Sequence, residues 1–268
     1  MENVNNAEKV QKEIDKELQK KREIYKTVTF PPLSTEELLE ILGQTIKKDE
    51  TNKLITFLCQ LSTYTESAQF NISFNAPSST GKTYLPLEVA RFFPEEDVKA
   101  IGYCSPTAFF HDKWELDEER DLHVVDLSRK ILIFLDQPHP QLLQHLRPLF
   151  SHDKKEIPVK ITDRAKGSGH RTKNILIIGS PSAIFCSAGL RLDEQEATRF
   201  FLLSPEISQD KIRLAIYEKL RKETDLEAYK RSLDGNPARD ALRMRIQAIK
   251  MEHIDDVKID STEKITET

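Results

Sequence analysis

Hydrophobic and polar positions follow two different periods along the chain, and the periods predict alternating strands and helices. Residues 70–74 alternate between apolar and polar side chains, which is typical of a strand, and residues 85–90 carry apolar positions that fit a helix. Five apolar residues occupy 131–135, directly before Asp136, as expected for a parallel strand that is buried on both faces. Further strands are predicted at 98–103, 122–127, 156–162, 171–178 and 200–203.

Strands that alternate with helices predict an α/β fold, in which helices cover both faces of a parallel sheet in three layers. Pro31-Pro32 interrupt the chain, and Ser34 with Glu37 form a capping-box pattern before one helix; another is predicted over 53–63. We divide the chain into an N-terminal helical arm and module at 1–66, a core at 67–205, a C-terminal helical lid at 206–254 and a loose tail at 255–268.

The first 28 residues are rich in Lys and Glu, with Val10, Ile14 and Leu18 recurring every four residues. This pattern fits a solvated helix with a thin apolar stripe, which would pack on a neighbouring subunit, and it fits a frayed charged arm equally well.

Composition adds three limits. The 268 residues carry a net charge of −4, so an affinity for nucleic acid would need a local basic patch. No run of about 18 apolar residues occurs, so no membrane span or membrane partner is expected. The N-terminus is charged and lacks an apolar signal core, and three widely spaced cysteines form no metal-binding pattern, which together predict a cytoplasmic protein with buried thiols.

The polar stretch after the first core strand matches a phosphate-binding loop, G-x-x-x-x-G-K-[ST], with alanine at the first glycine. Backbone N–H groups of the loop and the start of the next helix would cradle phosphates, Lys82 would reach the terminal phosphates, and the Thr83 hydroxyl would bind Mg²⁺. An alanine is expected to fit less easily if that position needs a positive φ. The alternative is a Ser/Thr-rich turn before an ordinary helix. The predicted loop residues are Ala76, Pro77, Ser78, Ser79, Thr80, Gly81, Lys82 and Thr83.

Asp136 ends an apolar strand that we expect beside the phosphate-loop strand, where a carboxylate can hold Mg²⁺ directly or through water. The alternative is an aspartate that begins a turn. Together with the phosphate loop, the metal site is the favoured interpretation.

An AAA+ ATPase core is resembled over roughly 70–205 by these features together with the predicted hairpin at 154–174, the ILIIGS strand that follows it and a helix that ends in Thr-Arg. The hairpin ahead of the fourth strand is similar to superfamily 3 helicases of viruses and plasmids and to minichromosome-maintenance helicases. The resemblance implies ATP and Mg²⁺ as ligands, with Lys82, Thr83 and Asp136 in the site. Ser180 would stand where these families place a water-orienting asparagine. Arg199 would be the arginine finger, with Arg191 as a competitor.

Gln137 departs from the family pattern, which has a carboxylate here to act as a base toward water. Glutamine can orient water but cannot accept its proton at neutral pH. Three explanations stay open: hydrolysis is slow, another acid such as Asp126 serves, or a glutamate has been replaced so that ATP is trapped.

The hairpin region Lys154 to Lys173 contains seven Lys/Arg and two acidic residues, a local excess of positive charge. In the resembling helicases this hairpin lines a ring's central channel and touches DNA, while the alternatives are a solvated hairpin or a protein-contact loop. Cations would contact phosphates without reading sequence. The candidate DNA contacts are Arg164, Lys166, His170 and Arg171.

Together with this resemblance, the sequence predicts a replicative helicase-like ATPase of a phage, plasmid or other mobile element. The resemblance implies an ATP-dependent ring, expected as a homohexamer, that moves on single-stranded or forked DNA, with a primase as a further candidate partner. The alternative is an ATP-binding assembly or loader protein that hydrolyses slowly and does not unwind DNA. A metabolite kinase is a third possibility, disfavoured by the basic hairpin and Arg199.

Overall fold

The computed structural model describes residues 30–105, 115–117, 122–136, 138–151, 155–164, 170–187 and 199–251. The helices are α1 Thr35–Gly43, α2 Glu50–Ser62, α3 Tyr84–Ala90, α4 Pro140–Phe150, α5 Gln209–Thr224, α6 Leu226–Asp234 and α7 Pro237–Met251. The strands are β1 Asn71–Asn75, β2 Val98–Ile101, β3 Glu115–Asp117, β4 Leu122–Asp126, β5 Ile131–Phe134, β6 Glu156–Arg164, β7 His170–Ile178, β8 Ser182–Ser187 and β9 Phe200–Leu203.

Five strands form a parallel core sheet in the order β2-β5-β8-β1-β9. Successive side chains of a strand point to opposite faces, and both faces of this sheet are buried. On one face, Ile131 and Ile133 pack in a cluster with residues of α1, α2, α3 and α7. On the other face, Leu132 and Phe134 pack with α4 and a second sheet. The predicted α/β fold with three layers is confirmed.

The second sheet has the order β3-β4-β7-β6 and contains the predicted hairpin. Strands β6 and β7 pair antiparallel from Glu156–Ile178 to Arg164–His170, and β7 also pairs in parallel with β4 from His123–Ile175 onward. The five residues 170–174 therefore precede the length of β7 that pairs with β4, so this end of the hairpin extends as a two-stranded ribbon for roughly 16 Å.

The fourth strand of the core sheet differs from the prediction. The apolar run Ile175–Ile178 was expected in the core sheet, but it belongs to β7 in the second sheet, and β8 takes the core position instead. All six residues of β8 are buried. Because three of them are Ser or Ala, which have small side chains, the segment is less apolar than the run before it, and hydrophobicity alone selects the wrong segment.

Helices at both ends of the chain complete the fold. The Ser34–Glu37 capping box at α1 is confirmed by hydrogen bonds of 2.8 and 3.1 Å. Leu242 and Ile246 of α7 pack in the same cluster as α1 and α2. Helix α5 has one buried residue, Glu218, whose carboxylate lies 3.4 Å from Lys47. Within the described ranges, no helix is long and apolar enough to cross a membrane.

Candidate phosphate-binding site

The predicted phosphate loop leaves the carboxyl end of β1 and leads into α3, with Thr83 at the helix N-cap. Ser79 and Gly81 have positive φ, at 65° and 89°, whereas Ala76 does not. Ala76 instead continues the sheet, with its N–H donating to Ser187 O at 3.4 Å. The expected conflict at the alanine is therefore wrong, since the left-handed backbone occurs later in the loop, where Gly81 adopts it at no steric cost.

The Lys82 side chain folds back over this loop. Its ammonium donates to Pro77 O at 3.2 Å, and the Thr80 hydroxyl donates to the same carbonyl at 2.9 Å. Residues 77–79 are exposed and 80–83 are half-buried, so solvent reaches the loop. A phosphate oxygen and the Pro77 carbonyl offer the ammonium the same kind of hydrogen-bond acceptor, so an arriving phosphate can replace the carbonyl.

The Thr83 hydroxyl does not cap its own helix. It is hydrogen-bonded to the thiol of Cys186, a buried residue of β8, and burial raises the pKa of that thiol to about 12. The thiol is therefore neutral at physiological pH, and Thr83 has no anionic neighbour in this contact. The hydroxyl oxygen retains acceptor capacity, which is what a Mg²⁺ ligand needs.

The crevice between β1 and β8 is the place where parallel α/β sheets bind ligands. From β1 the chain passes to β2 on one side of the sheet, and from β8 it passes to β9 on the other side. Ligands of open α/β sheets bind at the carboxyl ends of strands at such a switch point. Ser187 ends β8 there, and its buried hydroxyl has no hydrogen-bond partner among the described residues.

Asp136 lies exposed just beyond β5, at the same edge of the sheet as the phosphate loop. The sequence placed its strand directly beside β1, which is wrong, because β8 lies between them. Two strand intervals separate β1 and β5 by about 10 Å. The Thr83 hydroxyl, however, contacts Cys186 on β8, the strand that lies between β1 and β5. The adjacent Gln137 lies outside the described residues.

Ser180 and Asp126 both lie at the opposite edge of the core sheet. Ser180 follows β7 and precedes β8, so it lies at the amino end of β8 instead of the carboxyl end. Asp126 pairs in register with Ile178 and accepts a 2.7 Å hydrogen bond from Ser128 N. Neither side chain can serve the phosphate loop of its own chain, which corrects both assignments. Ser187 occupies the strand end that was assigned to Ser180.

Arg199 directly precedes β9, also at the amino edge of the sheet. Its Nε donates to the Ser151 hydroxyl at 2.6 Å, just after α4. The length of β9 separates Arg199 from the phosphate-loop edge of its own chain by roughly 13 Å. A role at this chain's own nucleotide is therefore disfavoured, while a role toward a neighbouring copy stays a prediction. Arg191 lies outside the described residues.

The hairpin supplies two of the four predicted DNA contacts on β7, at His170 and Arg171, and one on β6, at Arg164. Asp163 pairs in register with Arg171, and Arg164 pairs with His170. Lys166 lies outside the described residues. The base of the hairpin meets the amino edge of the core sheet, since Ile178 and Ser182 are four positions apart.

Two residues of this region were missed by the sequence analysis. Lys211 at the start of α5 donates to Thr80 O at 3.3 Å, and it forms an ion pair with buried Asp49. Neither residue belongs to a motif, and they are far apart in sequence, so no local signal indicates the contact. Within the described ranges, no three His, Cys, Asp or Glu side chains form a metal-binding group.

Comparisons with known proteins add little. No family profile and no curated protein match the chain. Among solved structures, one described as a "putative ATPase" from Cytophaga hutchinsonii is 11% identical, with a TM-score of 0.37 over 79% of this chain. The chain spans 60% of the length of that structure. A likeness at this level does not carry a function to this chain.

Proposed function

We propose that this chain is an ATPase that binds Mg·ATP at residues 76–83 and works as an oligomeric motor on single-stranded or forked DNA. The observation that carries the nucleotide site is the loop at the carboxyl edge of β1, with Lys82 over an exposed carbonyl and Asp136 at the same edge. Phosphoryl transfer needs positioning and charge stabilisation, which a lysine, a bound metal and a loop of N–H groups provide.

The remaining roles extend the same site. Thr83 and Asp136 would hold Mg²⁺, and Ser187 would orient a water molecule or a phosphate oxygen with a hydroxyl that has no hydrogen-bond partner among the described residues. Arg199 acts on the nucleotide of a neighbouring copy in a ring, because its own loop is at the far edge of the sheet. Mg²⁺ would neutralise charge on the β- and γ-phosphates when bound.

The basic hairpin supports nucleic acid as the partner along which this protein moves. Its outer end projects beyond β4 as a ribbon and carries Arg164, His170 and Arg171, with Lys166 between them in the sequence. A charged ribbon of this kind suits sequence-independent contact with phosphates, whose binding weakens as salt rises.

Gln137 favours one competing function, an ATP-binding assembly or loader protein with slow hydrolysis. Such a protein would oligomerise with ATP but would not displace a DNA strand. A primase partner and a mobile-element host belong to the motor proposal and have no separate support.

The test begins with Mg·ATP binding and turnover by the wild-type chain and by Lys82→Ala, with Lys219→Ala as an exposed control. We expect the first variant to lose binding and turnover and the control to keep both. Unchanged turnover in Lys82→Ala would contradict the proposed nucleotide site. ATP turnover is then measured with and without single-stranded DNA, for the wild-type chain and for Gln137→Glu, and strand displacement is measured on forked DNA. These measurements separate the motor from the assembly protein.

A further inference from the structure

Lys211 joins the first turn of α5 to the phosphate loop. Its ammonium has three donors, and they lie against the Asp49 carboxylate, Glu206 O at 3.0 Å and Thr80 O at 3.3 Å. The Lys211 side chain is 13% exposed and that of Asp49 is 2% exposed. The contact is therefore largely shielded from solvent, where a charge-assisted hydrogen bond is stronger than at an open surface.

Asp49 is itself fixed by several donors. Its carboxylate also accepts from Glu206 N at 2.6 Å and from Asn52 Nδ2 at 3.0 Å. Lys48 and Asp49 have φ of 56° and 61°, a left-handed conformation that non-glycine residues rarely adopt. Backbone strain of this kind persists where surrounding contacts hold it. Asp49 therefore gives Lys211 a fixed anchor rather than a mobile counter-ion.

The position of the Thr80 carbonyl determines where the next amide points. The peptide between Thr80 and Gly81 is trans, so its C=O and N–H point in opposite directions. Because the carbonyl faces Lys211, the Gly81 N–H faces away from α5. Rotation of this peptide changes ψ of Thr80 and φ of Gly81, and a glycine adopts φ of either sign without steric cost, so the rotation is otherwise inexpensive.

We propose that Lys211 is a positioning residue of the phosphate loop: by holding the Thr80 carbonyl, it fixes the Gly81 N–H as a donor to the bound phosphates, and Asp49 fixes Lys211. This inference rests on the proposed nucleotide site and adds a residue from the C-terminal helices to it. Lys211 acts through the backbone of the loop, whereas Lys82 contacts the phosphates directly.

The test compares Lys211→Met, which removes the charge at similar length, with Lys211→Arg, which keeps it, and with Asp49→Asn, which releases the anchor. Lys219→Met, on an exposed part of the same helix, is the matched control. Calorimetry with Mg·ATP measures affinity, and hydrogen exchange of the Gly81 amide at saturating Mg·ATP measures the hydrogen bond that this amide donates.

We expect Lys211→Met to weaken Mg·ATP binding by about tenfold or more, the loss typical of one charge-assisted hydrogen bond. Asp49→Asn should change affinity in the same direction, Lys211→Arg should restore most of it, and the control should bind as the wild type does. Exchange of the Gly81 amide should become faster in Lys211→Met, while exchange within β1 stays unchanged. If Lys211→Met fails to fold, the Asp49→Asn and Lys211→Arg pair decides by the same two measurements.

Wild-type affinity together with wild-type Gly81 exchange in Lys211→Met would overturn this inference alone, provided that Lys82→Ala abolishes binding. An equal loss in the Lys219→Met control would also overturn it, because the effect would then follow helix charge and not the loop contact. Absence of binding by the wild-type chain would overturn the proposed function and this inference with it.

Discussion

Gly179 packs directly against the backbone of Ser128 where the two sheets join. A Cβ atom at Gly179 would lie 2.3 Å from Ser128 N and 2.5 Å from its Cα, and the glycine has a φ of 83°. Ser128 lies in the turn from β4 to β5, and Gly179 lies in the turn from β7 to β8. The two turns also share hydrogen bonds, from Leu127 N to Ile178 O at 2.8 Å and from Ser182 N to Lys130 O at 3.1 Å. The base of the hairpin is thus hydrogen-bonded to the turns that lead into β5 and β8 of the core sheet.

We expect Gly179→Ala to destabilise the protein by about 2–4 kcal/mol, because it combines an unfavourable φ with a clash against backbone atoms. Chemical denaturation measures the free energy of unfolding. Gly102→Ala is the matched control, since a Cβ there meets nothing within 4 Å and φ is not positive. Equal stability of the two variants would show that the turns do not pack as described.

The three cysteines should differ in their reactivity with a thiol reagent. Cys59 and Cys186 are buried, whereas Cys104 is half-buried. Burial raises the pKa of the Cys186 thiol to about 12, so the reactive thiolate is scarce at neutral pH and increases only as the pH approaches that value. We expect one fast-reacting thiol in the native protein at neutral pH and three after unfolding. Loss of the fast reaction in Cys104→Ser identifies it, and fast labelling of Cys186 would contradict its placement under Thr83.

The fold was more predictable than the exact membership of its strands. The continuous apolar run at 131–135 placed β5 correctly, because a strand buried on both faces is apolar throughout. The alternation at 70–74 placed β1 correctly, although its polar residues Asn71 and Ser73 are buried as well. The fourth core strand was missed, since β8 is built partly from small residues that fit between its neighbours. Because β7 was assigned to the core position that β8 occupies, the sequence placed Ser180 instead of Ser187 at the carboxyl end of the fourth core strand. Contacts such as Lys211 to Thr80 depend on tertiary packing over 131 positions and leave no sequence pattern.

The Ser187 hydroxyl, which has no hydrogen-bond partner in the described part of the chain, predicts opposite effects on stability and activity. A buried polar group without a hydrogen bond costs about 1–3 kcal/mol, so Ser187→Ala should stabilise the nucleotide-free protein by about 1 kcal/mol. If the hydroxyl orients water or phosphate, the same variant should lower ATP turnover by about tenfold or more. Ser180→Ala, at the opposite edge of the sheet, should leave turnover unchanged. If Ser180→Ala lowered turnover and Ser187→Ala did not, the water-orienting role would return to Ser180, as first predicted.

Arg199 allows a direct test of whether neighbouring copies share a site. An arginine finger contributes about 10³–10⁵-fold to the rate in well-characterised cases, so Arg199→Ala should abolish most turnover. Arg199 also bonds to Ser151, so the free energy of unfolding must be compared as well. Ser151→Ala is the control, which removes this contact together with the hydrogen bond from the Ser151 hydroxyl to Arg147 O at 3.0 Å. Mixing the inactive Lys82→Ala and Arg199→Ala chains should restore part of the turnover, because some interfaces then combine an intact Lys82 with an intact Arg199. No recovery in mixtures that demonstrably exchange subunits would place the function of Arg199 within its own chain or remove it from catalysis.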